Sequence, residues 1–356
     1  MLLKRYNILE QNINTYVYSI ISSVTILLLA LCTKAYEFVC SYGACTVSNI
    51  DISYDGLYVF TFIANASETL ILRGATGKLV NLTILQNVAT LKQIIIEDCK
   101  FMEIIIPQFQ IPFSLVLRRV FLKAILIHQT ANMLTDIRMR NVPFKVFPPS
   151  LLQLQHLVSL EQCRSHMRYL HFGDLKNMHS LTNLDLSYNK IQSVIMDRNG
   201  QCCGQLKYLN LKGNLLKRFD FGALVYLSQL KCAFLGYNQI SSINTRIEQH
   251  YNRNRKFCSW KTFYVMRIKA NIPVPRPACT DYFANLSTIT LDHNRLTEVN
   301  MNELEHMSVL TDLDLAFNPI ENVKISNDRI PVSLNMSLLN GNRGYLHALA
   351  PDVFSN

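Results

Sequence analysis

Residues 181–191 read LTNLDLSYNKI. Leu181, Leu184, Leu186, Asn189 and Ile191 form a skeleton LxxLxLxxNxL. Leu184 and Leu186 are two apart, so on a strand both side chains leave the same side, while Asn183, Asp185 and Ser187 leave the other. Asn189 stands where the strand must end, and its amide suits the backbone groups of a turn. So short a segment cannot bury its own apolar side; it needs copies of itself stacked above and below. The copies are present as Leu206/Leu209/Leu211/Asn214/Leu216, Leu286/Ile289/Leu291/Asn294/Leu296 and Leu310/Leu313/Leu315/Asn318/Ile320. Leu230/Ala233/Leu235/Asn238/Ile240 keeps the frame with one small residue.

Weaker copies extend the array. Leu91/Ile94/Ile96/Cys99/Phe101 and Leu134/Ile137/Met139/Val142/Phe144 replace the Asn, and Leu115/Leu117/Val120/Leu122 and Val158/Leu160/Cys163 are looser. Leu70/Leu72/Ala75 is marginal, and Leu334/Ser337/Leu339/Asn342 closes the series. In this frame Cys99 and Cys163 occupy the turn slot as buried structural thiols. The turn markers fall at 75, 99, 120, 142, 163, 189, 214, 238, 294, 318 and 342, in steps of 21 to 26 residues with one gap of 56. Between strands, Leu175/Met178/Leu181, Leu224/Leu227/Leu230 and Leu304/Met307/Leu310 step by three, as in a 3₁₀ turn. The pattern resembles the leucine-rich repeat. The expected fold is therefore an α/β solenoid, a leucine-rich repeat horseshoe with a concave parallel β-sheet and an irregular, 3₁₀ or short helical convex side.

Residues 1–35 read as a secretory signal: Lys4 and Arg5 precede an apolar run from Val17 to Leu31, and Thr33-Lys34-Ala35 offers small residues for cleavage. At about fifteen residues, interrupted by Ser19, Ser22, Ser23 and Thr25, the run is short of the roughly 20 that span a bilayer. An extracellular, secreted chain follows, with N-glycosylation acceptors at Asn65, Asn81, Asn285 and Asn335. Asn285 and Asn335 fall just before their strands in this frame. The expected organisation is a signal peptide at 1–35, an N-terminal cap at 36–65 and repeats at 66–244. A basic, cysteine-flanked insertion or cap-like segment follows at 245–280, then further repeats at 281–356 with an uncapped end.

Ten Cys occur, and removal of Cys32 with the signal leaves nine, an odd number for an exported chain. Cys40 and Cys45 precede the first repeats as a cap, and Cys258 and Cys279 bracket the segment inside the long gap. Cys202 and Cys203 are adjacent in what reads as an exposed loop, and sequence neighbours rarely bond to each other. With Cys232, at an outward strand position, they are the expected sources of an intermolecular thiol.

The formal net charge is +10. Residues 245–280 carry Arg246, Arg253, Arg255, Lys256, Lys261, Arg267, Lys269 and Arg276 against Glu248 alone, so this segment holds nearly all the charge of the mature chain. Pro273, Pro275 and Pro277 exclude regular structure at its end. It reads either as a solvated loop or as a contact for an acidic glycan or an anionic surface.

On the concave face the frame places Glu97 and Asp98, then Arg118 and Arg119, then Asp136, Arg138 and Arg140, neighbours that invite mutual pairing. Further on stand Asn183 and Asp185, then Tyr208, Asn210 and Lys212, then Cys232 and Phe234. Aromatic rings among small polar groups suit protein contact. The sequence offers no phosphate loop, HExxH, paired CxxC or nucleophile elbow, and its nine His are scattered. The expectation is a binding protein that is not an enzyme, with no catalytic residues, no cofactor, no metal and no nucleic-acid partner.

The Cys40 segment Tyr36-Glu37-Phe38-Val39-Cys40 with Cys45, and Cys258-Ser259-Trp260 with Cys279, resemble the leucine-rich immune proteins of mosquitoes. That resemblance implies secretion into haemolymph, pairing through an intermolecular disulfide with another leucine-rich repeat protein, and a complement-like factor as partner. The chain departs from the family in resuming repeats after the cysteine region and in showing no coiled coil after them. The expected role is protein–protein recognition in insect innate immunity. The alternative is the ectodomain of a Toll-like or other cell-surface receptor or adhesion molecule, cut before its anchor.

Overall fold

A computed structural model describes residues 36–342 apart from 64–65, 87, 110, 128–132, 197–201, 244–282, 305–306, 325–333 and 338–340. The signal at 1–35, Asn65, Cys258, Cys279 and the basic segment 245–280 lie outside the described residues. No described helix is long and apolar enough to cross a membrane. The described chain forms two compact units, one ending at Pro143 and one beginning at Phe144.

The first unit opens with an antiparallel hairpin, Glu37–Ser41 on Ala44–Ser48, turning at Tyr42 and Gly43. Both turn residues have positive φ, 49° and 78°, as a tight hairpin turn demands. Cys40 and Cys45 face each other in the register and are disulfide-bonded. From there every pairing in the main sheet is parallel. Thr69–Arg73 joins Ala44–Ser48, and Gln93–Glu97, Phe113–Arg118 and Leu134–Arg140 follow in chain order. A second, three-stranded parallel sheet, Leu79–Asn81, Glu103–Ile106 and Ala124–Ile127, forms the next side of the same coils.

In the second unit Ser159–Cys163, Asn183–Asp185, Tyr208–Asn210, Cys232–Phe234, Thr288–Thr290, Asp312–Asp314 and Asn335–Ser337 pair in sequence, all parallel. The return sides carry 3₁₀ turns at Phe172–Leu175, Phe221–Tyr226 and Met301–Leu304, ahead of the three-residue steps and including only their first residues, Leu175, Leu224 and Leu304. The leucines of the frame form the core: Leu181, Leu186, Leu206, Leu209, Leu211, Leu310 and Leu315 are wholly inaccessible.

The amide slot works as a ladder. Asn214 donates through Nδ2 to the carbonyls of Leu186 in the preceding coil (3.0 Å) and Leu211 in its own (2.9 Å), and its Oδ1 accepts from the Ile191 amide (3.0 Å). Asn189, Asn238 and Asn318 repeat the arrangement, and all are buried. Asn294 does the same across the long gap, donating to the Leu235 carbonyl at 3.0 Å and accepting from the Ile240 amide at 2.9 Å. Thus Cys232–Phe234 is directly paired with Thr288–Thr290, with the register and ladder of the neighbouring steps in the second unit. The fold is a leucine-rich repeat solenoid.

The register corrects two readings. Leu160 pairs with Leu184, so the residue opposite Asn189 is Ser165, two beyond Cys163. Gln162 then fills the inward slot that Leu186 fills next door, and it is fully buried. Cys99, by contrast, does occupy the amide slot: its Sγ accepts from the Ala75 amide (3.3 Å), and its single S–H is within reach of the carbonyls of Glu97 (3.1 Å) and Leu72 (3.5 Å). At the far end Leu313 pairs with Met336, so Ser337 pairs with the outward Asp314 rather than taking an inward position.

Candidate recognition face

Because the strands alternate, the outer face of each main sheet is a grid of rows running across the coils. In the second unit the first row is Asn183, Tyr208, Cys232, Thr288, Asp312 and Asn335, and the second is Asp185, Asn210, Phe234, Thr290, Asp314 and Ser337. Asn183, Asp185, Tyr208, Asn210 and Phe234, all read from the sequence, therefore stand together on three adjacent strands. Asn210 donates to the Asp185 carboxylate at 3.0 Å, and Tyr208 is 43% exposed. Ser187 does not contribute: it is buried, its amide tied to the Asp185 carboxylate at 2.8 Å. Lys212 lies just past its strand with Nζ 4.7 Å above the Tyr237 ring. Asn335 opens its strand in the first row instead of preceding it, whereas Asn285 donates to the Ser228 carbonyl from before its strand.

The first unit shows different chemistry. Its corresponding rows hold Thr46, Ile71, Ile95, Val116 and Arg138, then Ser48, Arg73, Glu97, Arg118 and Arg140. Glu97 is nearly buried and binds Arg73 at 2.5 Å, with Arg118 at 3.8 Å on its other side. Arg119 is not a strand residue. It sits at φ +52° in the turn, paired through two bonds with Asp98, also a positive-φ turn residue. The Arg119 guanidinium holds the Asp98 carboxyl below the usual carboxylate range. Of the charges expected to pair, Arg118 does so with Glu97 and Arg119 with Asp98, and Arg138 and Arg140 are exposed at that end of the grid. Asn81, the first residue of one of the four sequons, caps a 3₁₀ turn and accepts from the Thr83 amide.

Two features escaped sequence reading. The apolar row Ile71–Ile95–Val116 was hidden inside runs such as Ile94-Ile95-Ile96, which show no alternation. The second is a ridge along the turns. Each described main-sheet strand is followed by a positive-φ residue, and in the second unit these are Arg164, Tyr188, Gly213, Tyr237, His293, Phe317 and Gly341. Tyr237 and His293 stack at 4.0 Å between centroids, and His293 and Phe317 at 4.4 Å. Arg164 sits 5.3 Å over Tyr188, while the Tyr188 and Phe317 rings lean over Gly213 and Gly341. Each of these residues except Arg164 directly precedes a ladder Asn, and that was the available signal.

The cysteines need one correction. Cys202 and Cys203 are buried and bonded to each other, so neither is an outward thiol; the polar composition around them disguised a coil that tucks both sulfurs inward. Cys232 alone of the three is half-exposed, in the first row between Tyr208 and Thr288, and has no disulfide partner among the described residues. No described group of three His, Cys, Asp or Glu side chains is placed to hold a metal ion.

No protein-family model and no curated protein matches this chain. Solved structures do. A chain of an octameric complex of Latrophilin 3, Unc5D and FLRT2 (LRR) aligns at TM-score 0.52 and 13% identity, covering 89% of this chain and 98% of its own. The TLR13–ssRNA13 complex aligns at TM-score 0.53 and 18% identity, over 86% of this chain; the present chain spans 43% of that one. The LRIM1 leucine-rich repeat domain aligns at TM-score 0.49 and 15% identity, over 86% of this chain and 78% of its own. At these identities the likeness to the first two establishes the fold.

Proposed function

We propose that the protein is an extracellular, non-catalytic recognition module that binds other proteins through the outer faces of its main sheets. The observation that carries this reading is the second unit's grid, in which Tyr208 and Phe234 stand among the short polar side chains of Asn183, Asp185 and Asn210 on a parallel surface. Aromatic anchors in a polar surround are the composition of protein interfaces. Arg138 and Arg140 give the first unit a basic end suited to acidic partner groups. The solved neighbours include complexes of leucine-rich repeat proteins with other proteins, which supports protein partners here. The Cys40–Cys45 hairpin and the apolar leader support export. The setting in insect innate immunity, with another leucine-rich repeat protein or a complement-like factor as partner, rests on the resemblance of the Cys40 segment and of Cys258-Ser259-Trp260.

Affinity capture from body fluid tests the reading. A double variant Tyr208→Ala/Phe234→Ala removes two anchors without touching the inward leucines, and is expected to lose the captured protein while keeping the wild-type melting temperature. Capture unchanged by this variant and by Arg138→Glu/Arg140→Glu would remove the outer faces from consideration.

A further inference from the structure

The side sheet of the first unit carries a surface that the recognition face does not use. Val80, Ile104 and Ile125 point inward, Leu79 and Leu126 are exposed on the other side of their strands, and the register also aligns the exposed residues that lie just before these strands. One row is Lys78, Met102 and Lys123; Met102 donates to the Lys78 carbonyl and accepts from the Lys123 amide. Beside it, an isolated bridge places Lys100 next to Phe121. Leu126 stands in a further row with Asn81 and Ile105. Phe121 is 55% exposed, Leu126 45%, Met102 41% and Leu79 40%, while all three lysines are exposed and none has an ion pair among the described residues. Glu103 is the one acidic residue on these three strands, and Asp51, one coil further out, spends its carboxylate capping the Ser53 amide.

We infer that this face docks on an anionic lipid surface, with Phe121, Met102 and Leu126 entering the headgroup boundary and Lys78, Lys100 and Lys123 meeting lipid phosphates or carboxylates. Three physical facts point this way. Large apolar side chains held in water and interleaved with unpaired cations are the two-signal combination by which peripheral proteins hold membranes. The cations are all lysines, whose long apolar stems let the ammonium stay at the headgroups while the stem follows the rings inward. Three strands at about 4.8 Å spacing give a patch roughly 10 Å wide and, over the five residue steps from Phe121 to Leu126, roughly 17 Å long, an area on the order of 200 Å² against the ~800 Å² per partner of a specific protein interface. A sulfated glycan would satisfy the lysines and leave the apolar side chains in water.

Vesicle co-sedimentation decides it, using the full chain freed of any N-glycan because Asn81 shares a row with Leu126. Binding is expected to vesicles of phosphatidylcholine with 30% phosphatidylserine, about a hundredfold tighter than to phosphatidylcholine alone, and to weaken with salt. Lys78→Gln/Lys100→Gln/Lys123→Gln is expected to abolish that preference, at about fivefold per lysine. Phe121→Ser is expected to lower affinity about tenfold on the same vesicles with an unchanged salt dependence. All four residues are exposed, and unchanged thermal melts would show that each variant folds. The basic segment supplies the rival source of charge, so Arg253→Gln/Arg255→Gln/Lys256→Gln is run alongside. Loss of binding in that variant with retention in the lysine variant overturns the inference, as do equal affinity for both vesicle types, no binding to either, or indifference to Phe121→Ser. No binding to either vesicle with capture of an acidic protein through the same three lysines assigns the patch to that protein instead. Because none of these residues lies on the main-sheet faces, failure here leaves the recognition reading untouched, and the Tyr208/Phe234 variant is expected to bind vesicles normally.

Discussion

Cys99 shows how little chemistry the turn slot requires: one acceptor for an amide of the coil behind, and one donor for a carbonyl. The thiol supplies both, and burial pushes its ionisation up to about 11. Cys99→Ala leaves the Ala75 amide without its acceptor, while the Glu97 carbonyl keeps the Gly74 amide at 3.0 Å, and is expected to cost about 1–3 kcal/mol in chemical denaturation. The same site gives a pH dependence. The folded thiol holds its proton to about 11 whereas an unfolded one releases it near 9.0, so between those values the native state binds more protons. Stability is therefore full below pH 9 and falls at higher pH, by about 1.4 kcal/mol per unit. A Cys99→Ser variant is expected to flatten that part of the profile; an unchanged slope would assign it to other groups. Gln162 is the opposite case. Its side-chain oxygen and nitrogen are both buried without a hydrogen-bond partner, in a slot where neighbouring coils carry leucine. Gln162→Leu is expected to stabilise the protein by about 1–3 kcal/mol, read as a melting temperature several degrees higher. This residue also explains why the frame was misread at Cys163: an amide at an inward position breaks the periodicity that locates the turn, and Cys163 became the nearest substitute.

Among the elements, the strands were legible because each rests on a spacing of two, whereas the three-residue steps marked the return side but not its 3₁₀ turns, which lie ahead of them at Phe172–Leu175, Phe221–Tyr226 and Met301–Leu304. The outward rows were less legible than the strands. In the second unit polar and apolar residues alternate and the faces could be read directly, giving Asn183, Asp185, Tyr208, Asn210 and Phe234. In the first unit, Ile71, Ile95 and Val116 sit in uninterrupted apolar runs, and only the pairing register tells outward from inward. The ridge of turn residues depends on backbone conformation. Gly213 is at φ +69°, and a Cβ there would stand 2.6 Å from the Tyr188 ring. Gly213→Ala is expected to destabilise by about 1–2 kcal/mol, and Tyr188→Ala in the same chain to recover the part due to the ring. A double-mutant cycle separates the two, and an additive result would show that backbone strain alone is responsible.

At the scale of the whole chain, stability comes from stacking, so an interruption matters only if it breaks a step of the ladder. Around the long gap it does not. The Ile240 amide reaches Asn294 over 54 residues, with the bond that Leu216 makes to Asn238 over 22. The excess is 32 residues, and we propose that 245–280 is an insertion carried by one coil. Shortening the segment by that amount is expected to leave the melting transition within a few degrees of the wild type, whereas a cap on a separate first array would unfold without it. The sequence left insertion and cap open because the repeat pattern simply stops at Ile240, and nothing in the basic stretch itself says which strand its far end will join. Cys232 makes the junction accessible to one direct measurement. It is the register partner of Thr288, and both side chains are half-exposed on the outer face. Thr288→Cys places a second thiol one strand away, and mild oxidation followed by peptide mapping is expected to recover a crosslink between that position and Cys232, with Thr290→Cys crosslinking far less. Absence of the crosslink, or a bond from Cys232 to Cys258 or Cys279 instead, would contradict a single continuous stack through Phe234 and Thr288.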